Sequence, residues 1–113
     1  MEDVIKEAKD GPKYMFVSFD IDTLDPAFTP GTGTPEPGGL TPREAFPILR
    51  RLCAESNVVG FELVELLPII DPTYVSALNA NRLIKECLTG IAMRKKGITE
   101  KHYLSPLTKR HAR

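Results

Sequence analysis

The chain has 113 residues, which is room for one small domain and no more. Its 15 basic and 15 acidic residues cancel, so no overall field favours nucleic acid or an anionic membrane surface. No stretch approaches the roughly 20 apolar residues of a membrane span, and the acidic, polar N-terminus does not resemble a signal peptide. We therefore expect a cytoplasmic protein that binds neither nucleic acid nor membrane.

The first elements in chain order are a short helix and a strand. Residues 1–13 have the pattern of a helix end, stopped by the turn signal Gly11-Pro12. Residues 14–20 form a nearly unbroken apolar run with aromatic and β-branched side chains, which predicts a strand buried on both faces.

A proline- and glycine-rich segment follows, between Thr23 and Leu40. Four prolines alternate there with four glycines, a density of breakers that neither helix nor strand tolerates. We predict a long, stiff loop, and loops of this length inside compact domains are usually functional.

The second half of the chain predicts a helix, a strand and a longer helix. Thr41-Pro42-Arg43-Glu44 has the pattern of a capping box with proline at the first helical position, and this helix extends to about Glu55. A strand is predicted from about Val58 to Leu66. A last helix is predicted to be capped by Asp71-Pro72 and ended by Gly97. The two cysteines, Cys53 and Cys87, fall among apolar helical neighbours and are expected to be buried, reduced thiols.

The order of these elements places the chain in the α/β class. Strand, helix, strand and helix over residues 14–96 make one βαβ unit with an extra helix, which implies parallel strands. Two such apolar strands do not make a stable sheet alone, since sheets average about 5–6 strands. We expect partner strands from an N-terminal segment or from another subunit. Residues 97–113 are expected to be a tail.

Two carboxylates stand at the end of the first predicted strand. Asp20 and Asp22 are two residues apart, a spacing at which strand side chains point to the same side. Paired carboxylates repel each other, and a bound cation relieves that repulsion. The alternative is that either residue only caps a turn beside Asp25-Pro26. Asp-x-Asp alone does not decide between them.

A longer stretch of sequence is more specific. The run from Ser18 to Pro35, SFDIDTLDPAFTPGTGTP, closely resembles the signature of the ureohydrolase family, which includes arginases and agmatinases. Val64-Glu65 followed by Pro68 is similar to the final active-site segment of that family. The resemblance covers residues 14–96. It implies that residues 1–113 are the C-terminal fragment of a single ureohydrolase domain, with the βαβα part of a three-layer α/β/α arginase-like parallel sheet.

The resemblance also implies a reaction and roles for four residues. Asp20 corresponds to a carboxylate that bridges two metal ions, and Asp22 to a ligand of one of them. Glu65 corresponds to the acid that receives the guanidinium group of a small substrate, while Thr34 lies in the pocket wall. The implied cofactors are two manganese ions, with nickel as an alternative, and the implied reaction is hydrolysis with release of urea. The full-length form is expected to be a homo-oligomer.

The chain also departs from the family pattern. The family's histidine-containing ligand motifs, His-Ser and Asp-x-His-x-Asp, do not occur in this sequence. Its two histidines, His102 and His111, belong to the predicted tail. We therefore expect the isolated chain to be inactive.

Two other functions remain open on the sequence. Asp20-Ile21-Asp22-Thr23 falls within a motif of haloacid-dehalogenase-type phosphatases, but their downstream Gly-Asp-x-x-x-Asp segment is missing. The second alternative is that the chain is a non-catalytic element that serves in binding or assembly. Within the ureohydrolases, the apolar Phe61 and Leu66-Leu67 near Glu65 favour agmatine or a smaller guanidino compound over an amino acid.

Overall fold

The computed structural model describes residues 2–98, and its elements follow the predicted order. Most of the predicted tail, with His102 and His111, lies outside the described residues. The longer elements are helix α1 (Glu2–Asp10), strand β1 (Met15–Asp20), helix α2 (Pro42–Glu55), strand β2 (Val58–Val64) and helix α3 (Val75–Lys95). Single 3-10 turns follow the strands, at Ile21–Thr23 and Pro68–Ile70.

Strands β1 and β2 are parallel neighbours, as the βαβ pattern predicts. Val17 lies opposite Phe61, and Phe19 opposite Leu63. These side chains pack into a core that α2 and α3 complete with residues such as Leu49 and Leu83. The two helices therefore cover one face of the sheet.

The other face of the sheet is exposed. Phe16, which lies opposite Gly60, is 61% exposed, and Val59 is 64% exposed. The expectation that the first strand is buried on both faces is wrong for the described residues, because α2 and α3 pack against the opposite face only. The apolar composition of β1 nevertheless remains typical of a strand with a covering layer on each side.

The helix signals differ in how well they predict the boundaries. The capping box of α2 is confirmed: the backbone N–H of Glu44 donates to Thr41 Oγ1, and Glu44 Oε2 accepts from the backbone N–H of Thr41. Gly97, with φ +71°, follows the end of α3 as predicted. The start of α3 is later than predicted, because Tyr74 and not Asp71 occupies the N-cap position.

Helices α2 and α3 meet at small and sulfur-containing side chains. Cys53 and Cys87 are buried free thiols, with their sulfur atoms 3.2 Å apart. At Gly90 a Cβ atom would lie only 2.4 Å from the carbonyl oxygen of Arg50, so only glycine permits this approach. Nowhere in residues 2–98 is there a helix with the length and hydrophobicity needed to cross a membrane.

Candidate active site

The site is organised around Asp20, the last residue of β1. The Oδ1 atom of Asp20 accepts a hydrogen bond of 3.1 Å from the backbone N–H of Asp22. The two residues do not lie on one extended strand, since the chain enters a 3-10 turn at Ile21. The turn, and not strand alternation as predicted from the sequence, brings Asp20 and Asp22 together.

Thr34 holds the side chain of Asp22. The Thr34 hydroxyl donates to Asp22 Oδ2 at 2.7 Å, across twelve residues of the loop. The resemblance placed Thr34 in the pocket wall, and the structure adds a direct contact with one of the two acidic residues. Such a hydrogen bond restricts the orientation of the Asp22 carboxylate.

The loop between Thr23 and Leu40 is fixed by its own contacts, in agreement with the stiffness predicted from its prolines. The Asp25 carboxylate accepts hydrogen bonds from the backbone N–H groups of Ala27 and Gly38, both at 2.8 Å, and these bonds lower the pKa of Asp25. At Gly39 a Cβ atom would lie 2.6 Å from the backbone nitrogen of Asp25. The loop therefore closes on its own start and leaves no room there for a side chain.

Glu65 lies just beyond the end of β2, opposite the same loop. The sequence placed it inside an apolar strand that continued to Leu66, but β2 ends at Val64 and Glu65 is exposed. Burial of the carboxylate therefore gives no support to the role that the resemblance implies for Glu65. Glu65 and Tyr74 are the non-glycine residues with positive φ within residues 2–98, at +64° and +61°. Conformations of this kind in non-glycine residues concentrate at functional sites.

The three acidic residues share one edge of the sheet, and the charges of two of them act on Asp20. Burial raises the pKa of Asp20, and the neighbouring charges of Asp22 and Glu65 raise it further, whereas the hydrogen bond from the Asp22 N–H opposes this rise. The ion pairs found within residues 2–98 involve other acidic residues and leave these three without a basic partner. The edge is thus negatively charged.

The carboxylate oxygens at this edge are donors that suit a hard divalent cation, but they supply only part of its ligands. Carboxylate oxygens suit manganese and magnesium, which coordinate about six donors. Within the described part of the chain, no three histidine, cysteine, aspartate or glutamate residues are grouped so that they could enclose a metal ion. Asp20 and Asp22 are residue types that bind such a metal, and further donors are needed to complete its coordination.

Two groups of residues were judged incorrectly from the sequence. Phe61, expected near the substrate, packs on the core and not at the edge that carries Glu65. Asp71 and Ser76, which received no role in the site, are buried and connect α3 to the loop at Gly31. The only sequence signal was Asp71-Pro72, which was interpreted as a helix cap.

Known proteins match this chain over the same region. A sequence model of the arginase family matches residues 1–90. The chain belongs to the arginase family. It is 50% identical over 88 residues to the mitochondrial agmatinase of Gallus gallus, a match that covers 78% of this chain and 25% of the agmatinase. It is 49% identical over 81 residues to the mitochondrial guanidino acid hydrolase of Homo sapiens, covering 72% of this chain and 23% of that protein.

Solved structures of the arginase family share the fold. Proclavaminate amidino hydrolase from Streptomyces clavuligerus superposes with a TM-score of 0.74 at 41% identity, covering 81% of this chain and 30% of that one. Arginase from Bacillus caldovelox gives a TM-score of 0.69 at 37% identity, covering 79% and 29%. The predicted arginase-like α/β fold is confirmed. The phosphatase interpretation of Asp20 and Asp22 receives no support from this family assignment.

The share of each relative that is covered bears on function. The chain spans about a quarter of the length of the curated relatives that it matches. The region in common includes β1, the loop and β2, which carry the three acidic residues.

Proposed function

We propose that this chain contributes Asp20, Asp22 and Glu65 to a metal-dependent site that hydrolyses a guanidino compound and releases urea. The observation that carries the proposal is the position of three acidic residues at one sheet edge, where Asp20 at the end of β1 lies opposite Val64 and Glu65 follows directly. The ion pairs of residues 2–98 provide no basic partner there. Membership of the arginase family supports it, as do relatives named agmatinase and guanidino acid hydrolase.

Each residue has a distinct part in the proposed chemistry. Asp20 and Asp22 are the side chains that would hold two manganese ions, or nickel, and such ions would lower the pKa of bound water and so supply a nucleophile at neutral pH. Thr34 keeps the Asp22 carboxylate oriented through its hydrogen bond of 2.7 Å. Glu65 presents a carboxylate to the planar guanidinium cation, a pairing that allows two parallel charged hydrogen bonds.

The proposal applies to a longer or assembled protein, and the isolated chain is proposed to be inactive. Two carboxylates are fewer than a hard divalent cation requires, and the chain corresponds to about a quarter of its relatives. We propose that it is the C-terminal fragment of a single ureohydrolase domain, cytoplasmic and homo-oligomeric in its full-length form. Two relatives are named mitochondrial, so the compartment needs its own test.

The preference for agmatine or a smaller guanidino compound now has less support. Phe61 packs on the core, so Leu67, which is 39% exposed, is the apolar residue near Glu65 that remains available to a substrate. Urea release from agmatine, arginine, guanidinobutyrate and guanidine, compared on one enzyme, tests the preference. Equal rates with all four would contradict it.

A chimera tests the catalytic proposal directly. The agmatinase of Escherichia coli O9:H4 is 44% identical to this chain over 90 residues, so its aligned segment is replaced by the corresponding residues of this chain. We expect urea release from the chimera, lost with Asp20→Asn and reduced about 10- to 100-fold with Glu65→Gln, because a charged hydrogen bond contributes about 1.5–3 kcal/mol. Glu62→Gln is the matched control, since Glu62 is exposed on β2 and bonded to Ser18. A chimera whose activity is insensitive to Asp20 and Glu65 would overturn the proposal.

Metal binding by the 113-residue chain is the second test. Calorimetry with Mn²⁺ is expected to give weak binding at most, because two carboxylates leave most coordination positions to water. Tight binding of two ions that is lost with Asp20→Ala would refute the incomplete site and the inactivity of the isolated chain.

A further inference from the structure

A buried hydrogen-bond network lies at the start of α3, away from the acidic edge. Ser76 is fully buried and Asp71 is 2% exposed. Asp71 Oδ2 accepts from the backbone N–H of Ser76 at 2.8 Å, and its Oδ1 accepts from the hydroxyl and the backbone N–H of Thr73. The donors of Ser76 and then of Thr73 hold the pKa of Asp71 at about 2, below its ordinary value of 3.8. The carboxylate is therefore a charged, fixed anchor.

The network connects to the loop through Gly31. The backbone N–H of Gly31 donates to Ser76 Oγ at 2.7 Å. A Cβ atom on Gly31 would lie 2.8 Å from Ser76 Oγ and 3.0 Å from Asp71 Cβ, so a larger residue cannot approach in this way. Ser76 thus accepts from the loop through its hydroxyl and donates to Asp71 through its backbone N–H.

The loop also holds the residues that follow Glu65. The carbonyl oxygen of Gly31 accepts from the backbone N–H of Leu67 at 2.8 Å, and Thr32 pairs with Leu66 in an isolated antiparallel bridge. Both contacts fall on the residues that directly follow Glu65. They hold the chain where Glu65 adopts φ +64°, a conformation that is unfavourable for a non-glycine residue.

The loop also leads to the other half of the site. Three residues after Gly31, the Thr34 hydroxyl donates to Asp22 Oδ2. Gly31 is therefore connected to both halves of the site. The segment after it reaches Asp22 through Thr34, and its carbonyl oxygen holds Leu67, two residues after Glu65.

We propose that Asp71 and Ser76 are positioning residues that hold Gly31, and through it set the orientation of Asp22 and the left-handed backbone of Glu65. Neither residue lies at the acidic edge, so neither is a metal ligand or a substrate contact. The roles of Asp22 and Glu65 rest on the proposed function, whereas the control of their geometry does not.

The test uses NMR on the 113-residue chain and its Ser76→Ala and Asp71→Asn variants. Two readouts report the geometry: hydrogen exchange of the Gly31 and Leu67 amides, and the backbone chemical shifts that report φ at Glu65. In both variants we expect exchange at these amides to accelerate on the order of tenfold, as for a lost hydrogen bond, and the Glu65 shifts to leave the left-handed range. Amide protection at Leu49, in the core, is expected to be unchanged.

Ser56→Ala is the matched control. Ser56 is 4% exposed, like Ser76, but its buried hydroxyl has no hydrogen-bond partner among the described residues. This variant should leave the Gly31, Leu67 and Glu65 signals as in the wild type. Unchanged signals in Ser76→Ala and Asp71→Asn would overturn the positioning role, and so would equal changes in Ser56→Ala. If Ser76→Ala does not fold, the more conservative Asp71→Asn decides.

Urea release from the chimera separates this inference from the proposed function. The chimera decides the proposed function, because the isolated chain is expected to bind Mn²⁺ weakly at most. The exchange and chemical-shift results on the 113-residue chain decide the positioning role, whatever the activity of the chimera.

Discussion

Glu65 combines the side chain proposed to bind substrate with a backbone conformation that most residues avoid. Its φ of +64° costs a non-glycine residue on the order of 1 kcal/mol, which glycine does not incur. Tyr74 carries a similar φ of +61°, so the support for the proposed role of Glu65 comes from the combination of this backbone with a carboxylate at the acidic edge.

This strain predicts a gain in stability when the side chain is removed. Glu65→Gly is expected to raise the free energy of unfolding by about 1 kcal/mol, because glycine adopts positive φ without a steric penalty. Glu62→Gly, three residues earlier within β2, should lower it by about 0.5–1 kcal/mol, since glycine weakens a strand interior. Denaturant unfolding of both variants measures the difference. A loss of stability in both would contradict the strain at Glu65.

The ionisation of Asp71 predicts how stability depends on pH. Its pKa in the folded protein is about 2, against an ordinary value of 3.8. The stability from its hydrogen bonds is therefore fully present above pH 3.8 and is lost as the pH falls through the folded value. Asp71→Asn should remove this component of acid destabilisation. Unfolding measured at pH 5 and pH 2 tests it, with Asp3→Asn, at an exposed position, as control. A wild-type pH profile in Asp71→Asn would contradict the assignment.

At the scale of the elements, helices α2 and α3 pack so closely at Gly90 that only glycine fits there. At Gly90 a Cβ atom would meet the Arg50 carbonyl oxygen at 2.4 Å and Cys53 Cβ at 2.7 Å. Gly90→Ala is expected to destabilise the chain by about 1–3 kcal/mol through this overlap, although alanine has the higher helix propensity by about 1 kcal/mol. Thr89→Ala, at the neighbouring exposed position, is the control for propensity. A more stable Gly90→Ala variant would show that the helices can separate without cost.

The same interface predicts the reactivity of the two thiols. Burial raises the pKa of both Cys53 and Cys87, so the reactive thiolate form is scarce in the folded chain. Alkylation by iodoacetamide at neutral pH should be at least about tenfold slower in the native chain than in denaturant, as measured by mass spectrometry. Equal rates would mean that α2 and α3 separate readily in solution.

The element boundaries that the sequence predicted correctly depend on local chemistry. The Thr41 capping box and the glycine at position 97 act within a few residues, and both mark helix ends as predicted. The boundaries it missed depend on distant partners. Strand β2 ends at Val64 where the chain turns toward Gly31, and Ser76 bonds to Gly31 across 45 residues. Asp20 and Asp22 were predicted as site residues from a local motif and stay a prediction, whereas no local pattern indicates a partner as far away as that of Ser76.

At the scale of the whole molecule, residues 2–98 cover one face of the sheet and leave the other exposed. Val17 and Phe19 face the helices, whereas Phe16 and Val59 are 61% and 64% exposed. The ring of Phe16 lies over Gly60, at 2.5 Å from where a Cβ atom would be. A flat apolar surface on a two-stranded sheet is a site of association, and the sequence alone led to the same expectation of further strands or another subunit.

This exposed face predicts that the 113-residue chain self-associates. Sedimentation velocity should give a mass that rises with concentration, because association removes Phe16 and Val59 from water at about 25 cal/mol per Å². The double variant Phe16→Ser, Val59→Thr should shift the sample toward monomer. Ile69→Ser is the matched control, because Ile69 is 87% exposed but lies on the turn after β2. A folded monomer at every concentration would mean that the face needs no partner.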